Sequence, residues 1–135
     1  MTLGSKMKPM IAADRYYYKY PDTDRNHQFV QNYKDEYGEI PSDVAEETFA
    51  CVHGLNEAAK KAGGASVDNL ASGLNGLSWE APEGTKQMRK ADHQVIDEHI
   101  WTGKIGPVDG QDFYGYTKMN AIPGKSVTPE PTCNL

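Results

Sequence analysis

Long apolar runs are missing from this chain. No stretch among its 135 residues approaches the ~18 consecutive apolar residues that would cross a bilayer, so no membrane span is expected. The first 30 residues hold no continuous apolar segment, and no secretory signal is expected within them. Cysteine is scarce. Cys51 and Cys133 stand alone, outside any CxxC or zinc-ligand spacing, which excludes a disulfide framework and a zinc ribbon. A bridge between the two and a pair of free thiols both stay open, and with them the redox compartment. Basic charge is also short: 14 Lys and Arg against 19 Asp and Glu give a net charge of -5. A phosphate-backbone binder needs clustered cations, so nucleic acid is not an expected partner. There is no GxSxG, no Gly-rich phosphate loop, no HExxH and no nucleophile–base pair. No catalytic residue, metal or cofactor is therefore expected, and the chain reads as a non-enzyme.

What the chain does have is tyrosine and glycine, 8 and 13 residues respectively. Residues 8–14 read as a short strand that runs into the β-prone stretch 15–20 and stops at Pro21. Asp22, Thr23 and Asp24 offer caps for a first helix, with Phe29, Val30, Tyr33 and Tyr37 on one face and Gly38 as its stop. A second helix starts at Ser42 or Asp43, where Asp43 and Glu46 have capping-box spacing. Val44, Thr48, Val52, Leu55, Ala59 and Ala62 make its apolar stripe, Cys51 reads as a small core residue, and Gly63-Gly64 ends it. Ser66 caps a short third helix with Val67, Leu70 and Leu74 facing inward. Residues 85–89 and 95–104 then read as the two strands of a hairpin turning at residues 90–93. The segment from Pro123 is proline-rich and should be extended. No internal repeat is present.

Four groups of side chains could carry chemistry. His93 and His99 flank Asp97 and Glu98. On a strand Asp97 and His99 share a side, which allows a surface metal site, but an exposed polar hairpin explains the pattern and no metal is assigned. Asp43, Glu46 and Glu47 gather at a helix start. They complement the helix dipole, and a carboxylate there can also meet a ligand amine. Tyr16, Tyr17, Tyr18 and Tyr20 alternate along an extended segment, so one pair packs inward while the other lines a cleft or meets solvent. Glu47 and His53 are six residues apart, which does not put them on one helical face, so they make no acid–base pair.

Longer strings of residues carry a resemblance. Phe29-Val30, Tyr33-Lys34, Tyr37-Gly38 and Pro41 precede a helix ending in Lys60-Lys61-Ala62-Gly63. Leu77-Ser78-Trp79-Glu80-Ala81-Pro82-Glu83-Gly84 follows, and then Met88-Arg89-Lys90-Ala91-Asp92-His93-Gln94. Over roughly residues 2–118 this resembles the C-terminal third of type I periplasmic solute-binding proteins, the Leu/Ile/Val-binding-protein-like receptors of ABC transporters. The resemblance implies an α/β class and a partial type I fold: strand, three helices, then a β-hairpin, an incomplete lobe of a two-lobed protein. Residues 1–78 would be the C-terminal part of the first lobe, 79–118 a hairpin and crossover toward the second, and 119–135 an extended tail. It implies a periplasmic receptor fragment for a small amino-acid-like, amide or carboxylate ligand, working by lobe closure beside a transporter permease. The family often places an aromatic ligand contact five residues before the Tyr of an Ala-Tyr-Asp-Ala pattern. Here that pattern reads Thr48-Phe49-Ala50-Cys51, the contact position is Val44, and Asp43 and Glu47 are its neighbours. Tyr17 and Tyr18 correspond to the segment near the hinge. The implied ligand-binding set is thus Tyr17, Tyr18, Asp43, Val44 and Glu47.

Burial arithmetic adds one expectation. One strand before three helices leaves the stripe from Val44 to Ala62 without a covering layer. Its partner would be the remainder of the receptor or a second copy of the chain. The alternative to a receptor fragment is accordingly a self-associating remnant with a structural role and no ligand of its own.

Overall fold

In the computed structural model, residues 10–133 are described. β1 (Ile11–Asp14) is followed by α1 (Asp24–Tyr37), α2 (Asp43–Ala62) and α3 (Val67–Leu74). A run of strands then follows: β2 (Ser78–Ala81), β3 (Gly84–Met88), β4 (Val95–Ile96), β5 (His99–Pro107) and β6 (Tyr114–Pro123). One last helical turn, α4 (Gly124–Val127), comes after them. The mixed α/β class is the expected one.

The helices begin and end where local chemistry dictates. Thr23, Ser42 and Ser66 each accept a hydrogen bond from a backbone N–H in the first turn, satisfying one of the donors a helix start leaves open. Gly38 and Gly63 close α1 and α2 at φ 72° and 74°, a left-handed conformation that costs glycine nothing.

The strands form two three-stranded antiparallel sheets, ordered β1-β5-β6 and β2-β3-β4. Ile11 pairs with Lys104 and Asp14 with Trp101, while β5 and β6 pair from His99–Pro123 to Pro107–Tyr114 with a bulge at Lys104/Ile105. The expected hairpin of residues 85–89 and 95–104 is present at its turn, where Gln87 and Met88 pair with Ile96 and Val95, but its second strand is divided. β3 pairs with both β2 and the short β4, and the chain breaks at Asp97 and Glu98 before β5 joins the other sheet. Asp97 is drawn into the protein by a buried lysine, which explains the break. The turn at residues 89–94 is where it was expected, with His93 at φ 55° and Asp92 bonded to Arg89 and to the Gln94 N–H.

Two apolar clusters make the core. One joins Tyr16, Phe29 and Val30, and the other joins Ala58, Leu77 and Trp79 with Leu70, Leu74, Met88 and Val95 packed around it. The packed face of α2 is Glu46, Ala50, Gly54 and Ala58. Ala50, Gly54 and Ala58, small and four apart, let β2 come close: Trp79 donates from Nε1 to the Ala50 carbonyl at 3.0 Å. The expected stripe lies two positions away, and at about 100° per residue that is the opposite side of the helix. Val44 is accordingly 67% exposed, Val52 63% and Leu55 43%. Cys51 is exposed and not a core residue. Val67, expected inward, is 83% exposed, because α3 packs through Gly73. Residues 15–20 turn instead of extending β1, with only a Tyr17–Tyr20 bridge. The expected tail begins as strand, since β6 runs to Pro123, and then makes the turn of α4. Arg89 holds the Pro129 carbonyl beyond it. The first residues of the expected strand, Lys8 and Pro9, lie outside the described residues.

Candidate functional site

The start of α2 faces the loop that follows β1, and the two enclose adjoining cavities. One, of ≈ 680 Å³, is lined among others by Asp14, Arg15, Asp43, Val44 and Glu47. The other, of ≈ 260 Å³, is lined among others by Asp14, Tyr17, Tyr18, Pro41 and Asp43. Asp14 and Asp43 belong to both. All five residues of the implied ligand-binding set thus fall on this one concave surface, although they come from separate chain segments on either side of α1. Ser42 is the reason Asp43, Val44 and Glu47 point this way: it caps α2 through the Ala45 N–H at 3.2 Å, which fixes the rotation of the first turn.

Asn26 shapes the tyrosine side. It is fully buried, accepts from the Tyr16 hydroxyl at 2.9 Å, and donates to the carbonyls of Tyr18 at 3.1 Å and Pro21 at 2.9 Å. Tyr16 is thereby pulled inward, and its neighbours turn toward the cavity. Tyr17 sits among the rings of Tyr18, Tyr20 and Tyr116, with centroids 4.8, 6.5 and 5.3 Å away. Its buried hydroxyl has no hydrogen-bond partner among the described residues. Lys19 lies over the Tyr18 ring at 5.6 Å.

The surface is acidic. Burial raises the Asp14 carboxyl above the usual carboxylate range; the Arg15 N–H opposes this, and Asp43 adds to it. Arg15 lines the larger cavity, but its Nε is 3.6 Å from Asp97.

Behind this wall lies a buried charge cluster. Lys86 Nζ is 2.8 Å from Glu83, 2.8 Å from Asp97 and 3.4 Å from Glu47. Burial opposes the lysine's charge, but Glu83 and Asp97 more than offset it and raise its pKa. Glu46 accepts the Glu83 N–H at 3.3 Å and touches no cation among the described residues. Burial pushes its carboxyl up to about 7, with Lys86 opposing. Burial likewise raises Glu83, whose two oxygens find no hydrogen bond of normal geometry despite the nearby ammonium. Glu46, Glu47 and Glu83 each bring an oxygen within 4.8 Å of the others. A cation could be held among them, yet Lys86 already stands between Glu47, Glu83 and Asp97. Asp97 is thus an inward ion-pair partner, not one side of a surface site with His99.

A second apolar groove of ≈ 320 Å³ runs between α1 and α2, lined by Phe29, Tyr33, Tyr37, Phe49, His53 and others. His53 is engaged by the Glu80 carbonyl at 2.9 Å and lies 3.7 Å from Glu57, whereas Glu47 turns to Lys86. Sequence reasoning missed Asp14, Glu83 and Lys86, and it read Glu46 as a cap. A lysine in a strand signals nothing by itself. Glu83 three residues before it was the one available hint, since residues i and i+3 can meet across a tight hairpin.

Comparison with known proteins fits this architecture. A family model described as "Periplasmic binding protein" matches residues 1–106. An ABC-type branched-chain amino acid transporter protein from Rhodopseudomonas palustris has a similar structure, with TM-score 0.80 and 20% identity over 94% of this chain and 34% of its own. A solute-binding protein of an ABC transporter from R. palustris BisB5, solved with 3,4-dihydroxybenzoic acid, gives TM-score 0.74 and 28% identity over 89% and 33%. The leucine-, isoleucine-, valine-, threonine- and alanine-binding protein of Brucella ovis, in its closed conformation, gives 0.76 and 21% over 93% and 34%. The chain spans about a third of the length of these proteins. A search of curated proteins gave no match.

Proposed function

The chain belongs to the periplasmic binding protein family, and we propose that it supplies one wall of the ligand cleft in a solute receptor serving an ABC importer. The observation that carries this reading is the convergence of Tyr17, Tyr18, Asp43, Val44 and Glu47 on two adjoining cavities. Aromatic faces and carboxylates together suit a small amino-acid-like or amide ligand: the rings cover its apolar part, and Asp43 or Glu47 takes an amine. A carboxylate ligand is the competing class, supported by the dihydroxybenzoate-bound relative, and its acid group would have to bind away from this acidic wall. The rest of the cleft would come from the remainder of the receptor, closing over the ligand as the lobes move. Its place of work would be the periplasm, and its partner the transporter's permease. No helix among the described residues is long and apolar enough to cross a membrane.

A thermal-shift screen of amino acids, their amides and small aromatic acids tests this reading. A ligand at ten times its Kd stabilises the folded chain by about 1.4 kcal/mol, enough to read as a shift of several degrees. Glu47→Gln and Asp43→Asn combined should abolish a shift produced by an amine-bearing ligand, and one of the two alone should weaken it. A shift that survives Glu47→Gln and Asp43→Asn together would remove the assigned wall from the site.

The exposed stripe on α2 favours a second reading. Val44, Phe49, Val52 and Leu55 leave an apolar band uncovered, and a second copy could cover it. Light scattering across a dilution series distinguishes the two. A dimer that resists dilution supports self-association, and a monomer assigns the band to the remainder of the receptor.

A further inference from the structure

We propose that Glu46 and Glu83, buried where the β2–β3 hairpin docks on α2, form a proton-loaded clamp that holds the hairpin against the helix and loosens when the proton is lost. From α2 come Glu46 and Glu47; from the β2–β3 turn, Glu83; from β3, Lys86; from the link between β4 and β5, Asp97; and from the loop after β1, Arg15 and Tyr16. Among the described residues, four carboxylates therefore face two cations. There Arg15 reaches only Asp97, and its side chain is largely exposed. Burial and the nearby Glu46 raise the Tyr16 phenol, so it stays neutral and supplies no charge.

The surplus negative charge is localised. Glu46 is 0% exposed and Glu83 1%. Glu46 has one partner, the Glu83 N–H, and its Oε2 is buried with none; both Glu83 oxygens lack a hydrogen bond of normal geometry. A dry carboxylate such as Glu46, with no cation contact among the described residues, is strongly disfavoured, and more so beside Glu83, which shares its one cation, Lys86, with Asp97 and Glu47. One proton turns an acceptor-only carboxylate into a donor that can satisfy its neighbour. A metal ion is the less suitable guest, because the Lys86 ammonium already occupies the place between the carboxylates. Glu47 is the next residue on α2 and lines the larger cavity, so the clamp lies directly behind the proposed cleft wall.

The raised Glu46 value fixes the direction of the effect. A carboxyl that titrates at about 7 when folded and near 4.5 when unfolded binds its proton more tightly in the folded chain. Its stabilisation is fully present below pH 4.5 and is lost as pH rises to 7. Over that window the folding equilibrium constant should fall by up to about tenfold per pH unit relative to a chain lacking the group.

The test is urea denaturation of the 135-residue chain and of Glu46→Gln at several values from about pH 4.5 to 8, with and without Mg²⁺, Ca²⁺ or Mn²⁺. The substituted amide keeps an acceptor for the Glu83 N–H and cannot ionise. The expected result is a downward slope in the parent relative to the variant, with the variant at least as stable at about pH 8. Infrared spectroscopy of the parent should show a protonated carboxyl carbonyl band at about pH 6, which keeps the test independent of the variant's folding. Parallel pH profiles for parent and variant, or no such band, would overturn the proposal. So would stabilisation at the alkaline end by a divalent ion that Glu46→Gln abolishes, since a cation would then balance the cluster.

Discussion

Gly73→Ala probes the packing that carries the α2 wall. Gly73 is buried where α3 crosses α2, and a Cβ built on it would run into the Ala58 carbonyl oxygen and lie 2.8 Å from its carbon. Both are backbone atoms of a helix and cannot rotate away, so the helices must separate. Overpacking of this kind costs about 1–3 kcal/mol. Alanine recovers about 1 kcal/mol of helix propensity over glycine. The net expectation is a loss of up to about 2 kcal/mol, or up to roughly 8 °C in Tm for a chain of this size. Ser72→Ala is the control, because Ser72 is exposed on the same helix; it gains a few tenths of a kcal/mol of propensity with no clash. Urea denaturation followed by the fluorescence of Trp79 and Trp101 and by far-UV circular dichroism gives both numbers. If Gly73→Ala is as stable as Ser72→Ala, the close α2–α3 crossing is wrong, and with it the orientation assigned to the face bearing Asp43, Val44 and Glu47.

Asn26→Ala removes the side chain that joins Tyr16, Tyr18 and Pro21. The buried Tyr16 hydroxyl and two part-buried carbonyls lose a partner, so a loss of about 2–4 kcal/mol is expected, and hydrogen exchange should show the Tyr16–Tyr20 loop opening first. Trp79→Phe deletes the bond to the Ala50 carbonyl and leaves space beside Gly54. A loss of about 1–2 kcal/mol in chemical denaturation is expected.

Much of the fold was legible because capping is local. Ser42, Ser66, Gly38 and Gly63 mark their helix ends through chemistry within four residues. Which face of α2 would be buried was not legible. The larger stripe from Val44 through Leu55 has the right periodicity, but the packed face is set by what crosses the helix. Trp79 and Gly73 need small partners at Ala50, Gly54 and Ala58. The strands failed for a related reason. Residues 95–104 read as one strand, but Lys86 draws Asp97 inward and divides them, a contact between distant positions that no local pattern carries. The candidate site shows the same division. Tyr17, Tyr18, Asp43, Val44 and Glu47 were named through family likeness, and the fold brings them to one surface. Asp14 and the Glu46–Glu83–Lys86 cluster depend on long-range packing and became visible only in three dimensions.

Chemical-shift mapping tests the central claim most directly. The labelled chain would be titrated with the amino acids and aromatic acids of the thermal screen while its amide and methyl resonances are followed. The account predicts ligand-dependent shifts confined to Tyr17, Tyr18, Asp14 and the first turns of α2, Val44 foremost. Shifts centred instead on the Phe29, Tyr33 and Phe49 groove, with the α2 start unmoved, would contradict it.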